Sequence, residues 1–419
     1  HSLTPLLASW RQTLAVYQDR IAAKRPERQR PKLNELELAE RRITRSRRRI
    51  ALALVTVVLA AVTFGAIGSL LPTVFGGHPL VGGGMAGLDT DLPGLWQSAT
   101  SGWVTSGFGV PGPADPLLLT LTVPTALAGG SAQLGLNLSY LLAIMIAGLG
   151  AWFAAGAVSR SIPVRVLATL MWVAAPALLT AVSAGRFGAA LAHAVLPWFA
   201  LAMIRAIGVQ ARDVYTCYDQ TRYAQARDVP GYDPISPLQP QRGSLAAAAA
   251  AGLLLATIAS AAPMLLLPLG VLAAGICLAS PGRRGLALAV LALPIAVMAP
   301  LLLEAFHGNW RVLFAEPGPL VAAGPAPGIS AVAGWPTQPA TVLGMTWPTL
   351  VAGLVLLGFA VLALVRTSAG TRTVRLGWVI TAIGWALAFA ASQVTVGVVA
   401  GTTTTAWPGP AFSLVTGGL

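Results

Sequence analysis

Nine apolar stretches alternate along this chain with loops that carry arginine, and that alternation constrains the fold more than any motif does. The stretch 50–71 holds no charged residue over some 20 positions. That is about the length needed to cross a ~30 Å hydrocarbon layer at ~1.5 Å rise per residue. Lipid offers the backbone no hydrogen-bond partner, so such stretches fold as helices. The spacing predicts spans near 50–72, 133–157, 163–184, 188–208, 244–262, 264–280, 286–304, 349–365 and 376–400.

Lysine and arginine in short loops set the direction of insertion, because they stay on the cytoplasmic side. The head, residues 1–49, holds 13 of the 27 basic residues and ends in Arg45, Arg47, Arg48 and Arg49, so it belongs inside. Alternation assigns 12 of the other 14 to the inner face and leaves Arg186 and Arg311 outside. Asp89, Asp91, Asp115, Glu304 and Glu316 fall at or beyond the outer face. The segment 115–128 is apolar but contains Pro124. Its ~14 residues are too few to span untilted, so it reads as a re-entrant or interfacial helix with both ends outside. The expected fold class is all-α, a polytopic transmembrane helix bundle of about nine spans in the plasma membrane with a cytoplasmic N-terminus. It comprises the basic head 1–49 and a membrane domain 50–419, with outer loops about 75–116 and 306–348 and an inner loop about 210–243.

A net charge of +13 raises the question of nucleic acid. The excess sits in the head and inner loops, where it serves topology and attraction to anionic lipid. No basic groove interleaved with aromatics is present, so nucleic acid is not an expected partner. Cys217 and Cys277 form neither a disulfide framework nor a metal-ligand spacing. The chain starts at His1 without a signal-peptide pattern, and the start reads as a fragment boundary. Leu3, Leu6, Leu7, Trp10, Leu14, Tyr17 and Ile21 recur at helical spacing. That stripe fits an amphipathic helix lying on the inner membrane surface or packed on a soluble domain. Asn34 is positioned to cap a second head helix over 35–49. The inner loop, with four tyrosines and four prolines, reads as a linker or small docking element.

The two outer loops are long enough to be functional or ordered against one another. Both carry tryptophan: Trp96, Trp103, Trp310, Trp335 and Trp347. These rings favour the membrane interface, and they could also floor a sugar or lipid site. Asp89 and Asp91 flank Thr90 and are the paired carboxylates of the first loop, with a solvated turn before Pro93 as the structural alternative. Such a pair can hold a divalent cation or supply a base, which makes Asp89 and Asp91 the catalytic candidates. No resident metal or other cofactor is expected beyond such a cation. Glu304 closes a span and is followed by His307, Trp310 and Arg311. An ionisable group near membrane depth is a functional candidate, although one at a span end also reaches water. Arg186 sits at a tight turn, where it can meet a lipid phosphate as a fork of donors or satisfy helix-end carbonyls. Glu304, His307, Trp310, Arg311, Arg186, Trp96 and Trp103 are the substrate-binding candidates. His193 reads as a packed hydrogen-bonding residue, and prolines 176, 197, 263, 268, 294 and 300 read as kinks. A lipid-phosphate leaving group needs a cation and an acceptor hydroxyl needs a base. The expectation is therefore a cavity with Asp89 and Asp91 on one side and Glu304, His307 and Arg311 on the other.

The order of features then becomes informative. A basic head and one span precede a long outer loop with Leu95-Trp96 and Trp103, then Gly107-Phe108-Gly109 and Pro113-Ala114-Asp115-Pro116. A short apolar helix follows, then spans joined by Ala184-Gly185-Arg186-Phe187-Gly188, Leu196-Pro197, and finally Trp407-Pro408-Gly409-Pro410. This pattern resembles the membrane region of large actinobacterial family-2 glycosyltransferases over most of 45–419. In those proteins a cytoplasmic GT-A domain precedes the polytopic region. The layout is also similar to GT-C enzymes such as arabinofuranosyltransferases, which carry the catalytic carboxylate in the first outer loop and use a polyprenyl-phosphate sugar. The resemblance implies a cell-envelope glycosyltransferase with membrane lipids, a lipid-linked sugar and other envelope-assembly proteins as partners. By position only, it gives Asp89 or Asp91 the catalytic role. The alternative is a non-enzymatic protein of glycolipid transport or complex assembly.

Overall fold

The computed structural model describes residues 35–104, 110–210, 243–280, 284–324, 328–337, 347–365 and 371–419. The amphipathic stripe 3–21, the cap at Asn34, the motif 107–109, Cys217 and nearly all of the inner loop lie outside these residues. The chain divides into two compact units, one of residues 1–47 with 214–234 and one of 48–213 with 235–419. Apart from residues 35–47, the architecture below belongs to the second unit.

The protein is a bundle of apolar helices. Six are long and apolar enough to cross a membrane: Arg42–Phe75, Ala132–Val158, Ile162–Ser183, Phe187–Ile207, Leu286–Phe314 and Val374–Gln393. Four more apolar helices are shorter, at 10–17 residues: Pro116–Leu127, Leu245–Ala261, Pro263–Ala279 and Gly353–Leu362. Six of the nine expected spans thus meet the length requirement on the described residues.

In chain order, α1 is Glu35–Ile67, continued by a 3-10 turn and the short α2, Leu71–Phe75. Sequence reading expects separate head and span helices here; one helix runs through, since no proline or glycine occurs from Glu35 to Phe64. Next come α3, Leu92–Ala99, and α4, Pro116–Leu127. The helix α5, Ala132–Val158, is followed by α6, Ile162–Val173, and α7, Pro176–Ser183. The span-length stretch Ile162–Ser183 is interrupted only at Ala174 and Ala175, the kink expected at Pro176, which lacks the N–H that would continue the helix. Then follow α8, Phe187–Ile207, α9, Leu245–Ala261, α10, Leu266–Ala279, and α11, Leu286–Glu304. The series closes with α12, Trp347–Val365, α13, Thr371–Gln393, and α14, Gly409–Gly418.

Two corrections concern the strands. The last expected span, 376–400, stops at Gln393, and its tail becomes strand β3, Thr395–Val399. It pairs antiparallel with β4, Thr402–Thr405, across a turn in which Ala400 and Gly401 both have positive φ. β-Branched Val and Thr prefer this pleated state to a helix. A smaller hairpin joins β1, Trp103–Val104, to β2, Val110–Pro111, so the fold is helical but not strictly all-α.

The core is centred on α8, which is 78% buried over its most apolar window, against 17% for α1. It packs on α5 and α9. Small residues permit this approach. A Cβ at Gly150 would lie 2.6 Å from Trp198 Nε1, and one at Gly188 would overlap the Ala261 carbonyl. His193 ties the core together from α8. Its Nδ1 pairs with Ser413 Oγ of α14 at 2.8 Å, its Nε2 with the Trp172 carbonyl of α6 at 3.1 Å, and its ring stacks on Trp172 at 4.2 Å.

Candidate functional site

The chemistry-bearing loops gather at the end of the bundle that holds the N-terminus of α5 and the α7–α8 turn. The first loop is fastened to α5. Gln133 Oε1 accepts from Leu88 N at 2.6 Å, while Gln133 Nε2 donates to Asn137 Oδ1 at 2.7 Å. Asn137 Nδ2 in turn donates to the His78 carbonyl at 3.4 Å. The tip of the same loop abuts the α7–α8 turn. Gly83, at φ +57°, lies so close to the Ala184 carbonyl that a Cβ would overlap it. Gly84 faces the second loop, with Val321 Cγ2 at 3.6 Å from where its Cβ would be. The two long loops therefore touch at Gly84 and Val321.

The polar centre of that meeting is Arg186. Its side chain is 5% exposed. Nη1 forms an ion pair with Glu316 Oε2, and Nη2 donates to the Ala322 carbonyl at 2.6 Å. Its guanidinium lies 4.6 Å from the centroid of the buried Trp407 ring. One fork of donors thus binds the second loop, while its flat face covers the Trp-Pro-Gly-Pro segment that begins α14. Burial raises the Glu316 carboxyl above its ordinary pKa, and the Arg186 charge and hydrogen bond oppose that rise. Asp115 is tied in as well. Its carboxyl caps α4, accepting from Leu117 N at 2.8 Å, and also accepts from Gly318 N. Burial outweighs both bonds and raises its pKa. The second loop is further pinned to the β3–β4 hairpin, where Ala323 N donates to Thr404 Oγ1 at 3.0 Å.

The other candidates stand differently. Asp89 is exposed, and among the described residues its carboxylate has no hydrogen-bond partner. Asp91 is the N-cap of α3, accepting from Gly94 N at 2.9 Å, which is the capping chemistry of a turn before Pro93. Glu304 ends α11, and His307 sits in the π turn that follows. Arg311 lies 5.9 Å from the Trp310 ring on a 3-10 turn. Among the described residues no hydrogen bond or ion pair joins Asp89 or Asp91 to Glu304, His307 or Arg311. Nor do three or more His, Cys, Asp or Glu side chains converge as metal ligands there. Trp103 is exposed on β1. Trp96 is exposed on α3 and borders an open apolar groove between α3 and α4.

Comparisons with known proteins leave the family open. No family model, curated protein or solved structure matches the chain. The candidate site therefore rests on geometry. Sequence reading missed Glu316 and Trp407 as partners of Arg186. Glu316 was visible as an outer carboxylate and Trp407 as part of a Gly/Pro-rich motif, but nothing in either segment points to the other.

Proposed function

We propose that this chain is the membrane region of a cell-envelope glycosyltransferase, and that it anchors the enzyme and holds a lipid-linked sugar or glycan acceptor. The observation that carries the reading is the ordered layer at one end of the bundle. Segments 82–91, 315–323 and 395–407 are far apart in sequence, yet all are bound over the ends of apolar helices. Such a layer sits where a membrane-borne headgroup would dock, and the motif order that resembles family-2 glycosyltransferases supplies the class of chemistry. Asp91 serves as a helix cap, and among the described residues no hydrogen bond or ion pair holds Asp89 in place. The transfer step is therefore assigned to a nucleotide-sugar domain of the kind found in the proteins it resembles. The same observation favours one second reading, a non-enzymatic role in glycolipid transport or complex assembly.

The test is made in cells that depend on this protein, by measuring envelope glycans and lipid-linked intermediates. Removal of the membrane region is expected to change glycan composition and to accumulate a lipid-linked acceptor. Asp89→Ala and Asp91→Ala at equal protein level are expected to leave both unchanged. Unaltered glycans after removal of the whole region would overturn the proposal. Loss of transfer in a folded Asp89 or Asp91 variant would return catalysis to the first outer loop. Movement of an intact glycolipid across the membrane without transfer would establish the second reading.

A further inference from the structure

The groove between α3 and α4 is unlike the rest of the loop layer. Leu92, Pro93 and Trp96 form one wall, and Val123, Ala126 and Leu127 form the other. Its lining is almost entirely apolar. The one hydroxyl there, on Thr122, already donates to the Leu119 carbonyl at 2.7 Å. That leaves the Thr122 oxygen as an acceptor and the Trp96 indole N–H as a donor, too few partners to replace the hydration of a sugar or a phosphate, so the groove suits an apolar occupant.

Its position narrows the occupant. The helix α4 contains no charged residue in its 12 positions. It lies against the ends of α5 and α9. Gly135, in the first turn of α5, approaches so closely that a Cβ would be 2.8 Å from Thr125 N. Ser260, at the end of α9, donates to Thr120 Oγ1 at 3.4 Å. Both ends of α4 return to the loop layer, Asp115 through Gly318 and the C-terminus through the turn at Gly129 and Gly130 that leads into α5. The face turned away from these contacts carries Val123 at 63% and Leu127 at 84% exposure, with Trp96 at 54% beside them. The helix that carries this apolar surface packs on α5 and α11, two of the helices long and apolar enough to cross a membrane. A tryptophan at its rim matches the preference of that ring for the interface.

We infer that the α3–α4 groove binds one hydrocarbon chain of a phospholipid in the outer leaflet, so that α4 rides in the interface as a half-inserted helix. The inference stands apart from the glycosyltransferase reading, because it needs only a membrane and not a glycan.

It is tested on the full chain in vesicles of phosphatidylethanolamine and phosphatidylglycerol. These carry a trace of phospholipid with a diazirine in mid-chain, and photolabelled positions are mapped by mass spectrometry. Leu288, 74% exposed on α11, reports ordinary lipid contact. Labelling of Trp96 and Val123 is expected to exceed that of Leu288. Ala126→Trp, which fills the groove from an exposed position, is expected to reduce the Trp96 label roughly tenfold, as if a bound chain lost the burial of about two methylenes. The Leu288 label should stay constant. Val123→Phe is the second plug and should act in the same direction if Ala126→Trp fails to insert. The inference is overturned if Trp96 and Val123 label no more than Leu288 and both plugs leave them unchanged. It is equally overturned if added polyprenyl phosphate displaces the label, or if position 123 cross-links to a second copy of the chain instead of lipid.

Discussion

Replacing Arg186 by Ala removes the pin of the loop layer, and the structure gives the size of the effect. Three interactions are lost together: the Glu316 ion pair, the hydrogen bond to the Ala322 carbonyl and the face contact with Trp407. Breaking a buried ion pair on one side costs about 3–5 kcal/mol, because it strands the remaining charge. The second Glu316 carboxylate oxygen is buried without a hydrogen-bond partner, but burial already raises the carboxyl pKa, so the stranded group can take up a proton, which favours the lower end of that range. The cation–π contact adds up to about 1 kcal/mol. The expected loss is therefore roughly 3–4 kcal/mol, read as a fall in the denaturation midpoint in mild detergent and as faster proteolysis within 315–323. The pH dependence separates this cause from general damage. Glu316 has a folded pKa above its unfolded value, so folding takes up a proton. Its contribution is fullest below the unfolded pKa and declines as pH rises through the folded one. Without Arg186 the folded pKa rises further. The cost of Arg186→Ala should therefore shrink as pH is lowered from 8 toward 5. Replacing both residues with apolar ones, Arg186→Met with Glu316→Leu, should recover most of the stability. A loss below about 0.5 kcal/mol, typical of a surface site, would refute the reasoning, as would a loss independent of pH or additive with Glu316→Leu.

Further outcomes follow from other contacts. His193→Ala removes two buried hydrogen bonds and a stacked ring, and is expected to cost about 2–4 kcal/mol in denaturant midpoint, against less than about 1 kcal/mol for exposed His307→Ala. Gly83→Ala places a Cβ onto the Ala184 carbonyl at a positive φ, so it should lower stability by about 2 kcal/mol. Gly65→Ala meets nothing within 4 Å on a helix and should be neutral or slightly stabilising in the same assay. Single cysteines at Thr90 and Leu320 should react with an impermeant thiol reagent on intact cells when Cys217 and Cys277 are absent, and one at Val209 should not. The reverse pattern would invert the arginine-based topology.

Apolar length and arginine placement are local properties, so most of the helices were legible before any contact was known. The hydrocarbon layer acts on each segment separately, and a 3.6-residue turn satisfies its own backbone. The same locality explained Asp91 ahead of Pro93 and the helical character of 115–128. It failed where two states compete for one sequence. The run from Thr395 to Thr405 is apolar enough to extend a span, yet its Val and Thr residues and the Ala-Gly turn make a hairpin. That signal lay in residue type and was hidden by hydropathy averaging. Only the tertiary structure decided which groups are free. Arg186 finds Glu316 across 130 positions, and His193 finds Ser413 across 220. Such partners are chosen by how helices pack and by the penalty for leaving a charge or polar atom buried alone. Single-sequence patterns extend a few turns at most and carry no record of that choice. For this reason the residue types needed for chemistry could be named from the sequence, while the structure alone distinguishes Arg186, held within the protein, from Asp89, open to solvent.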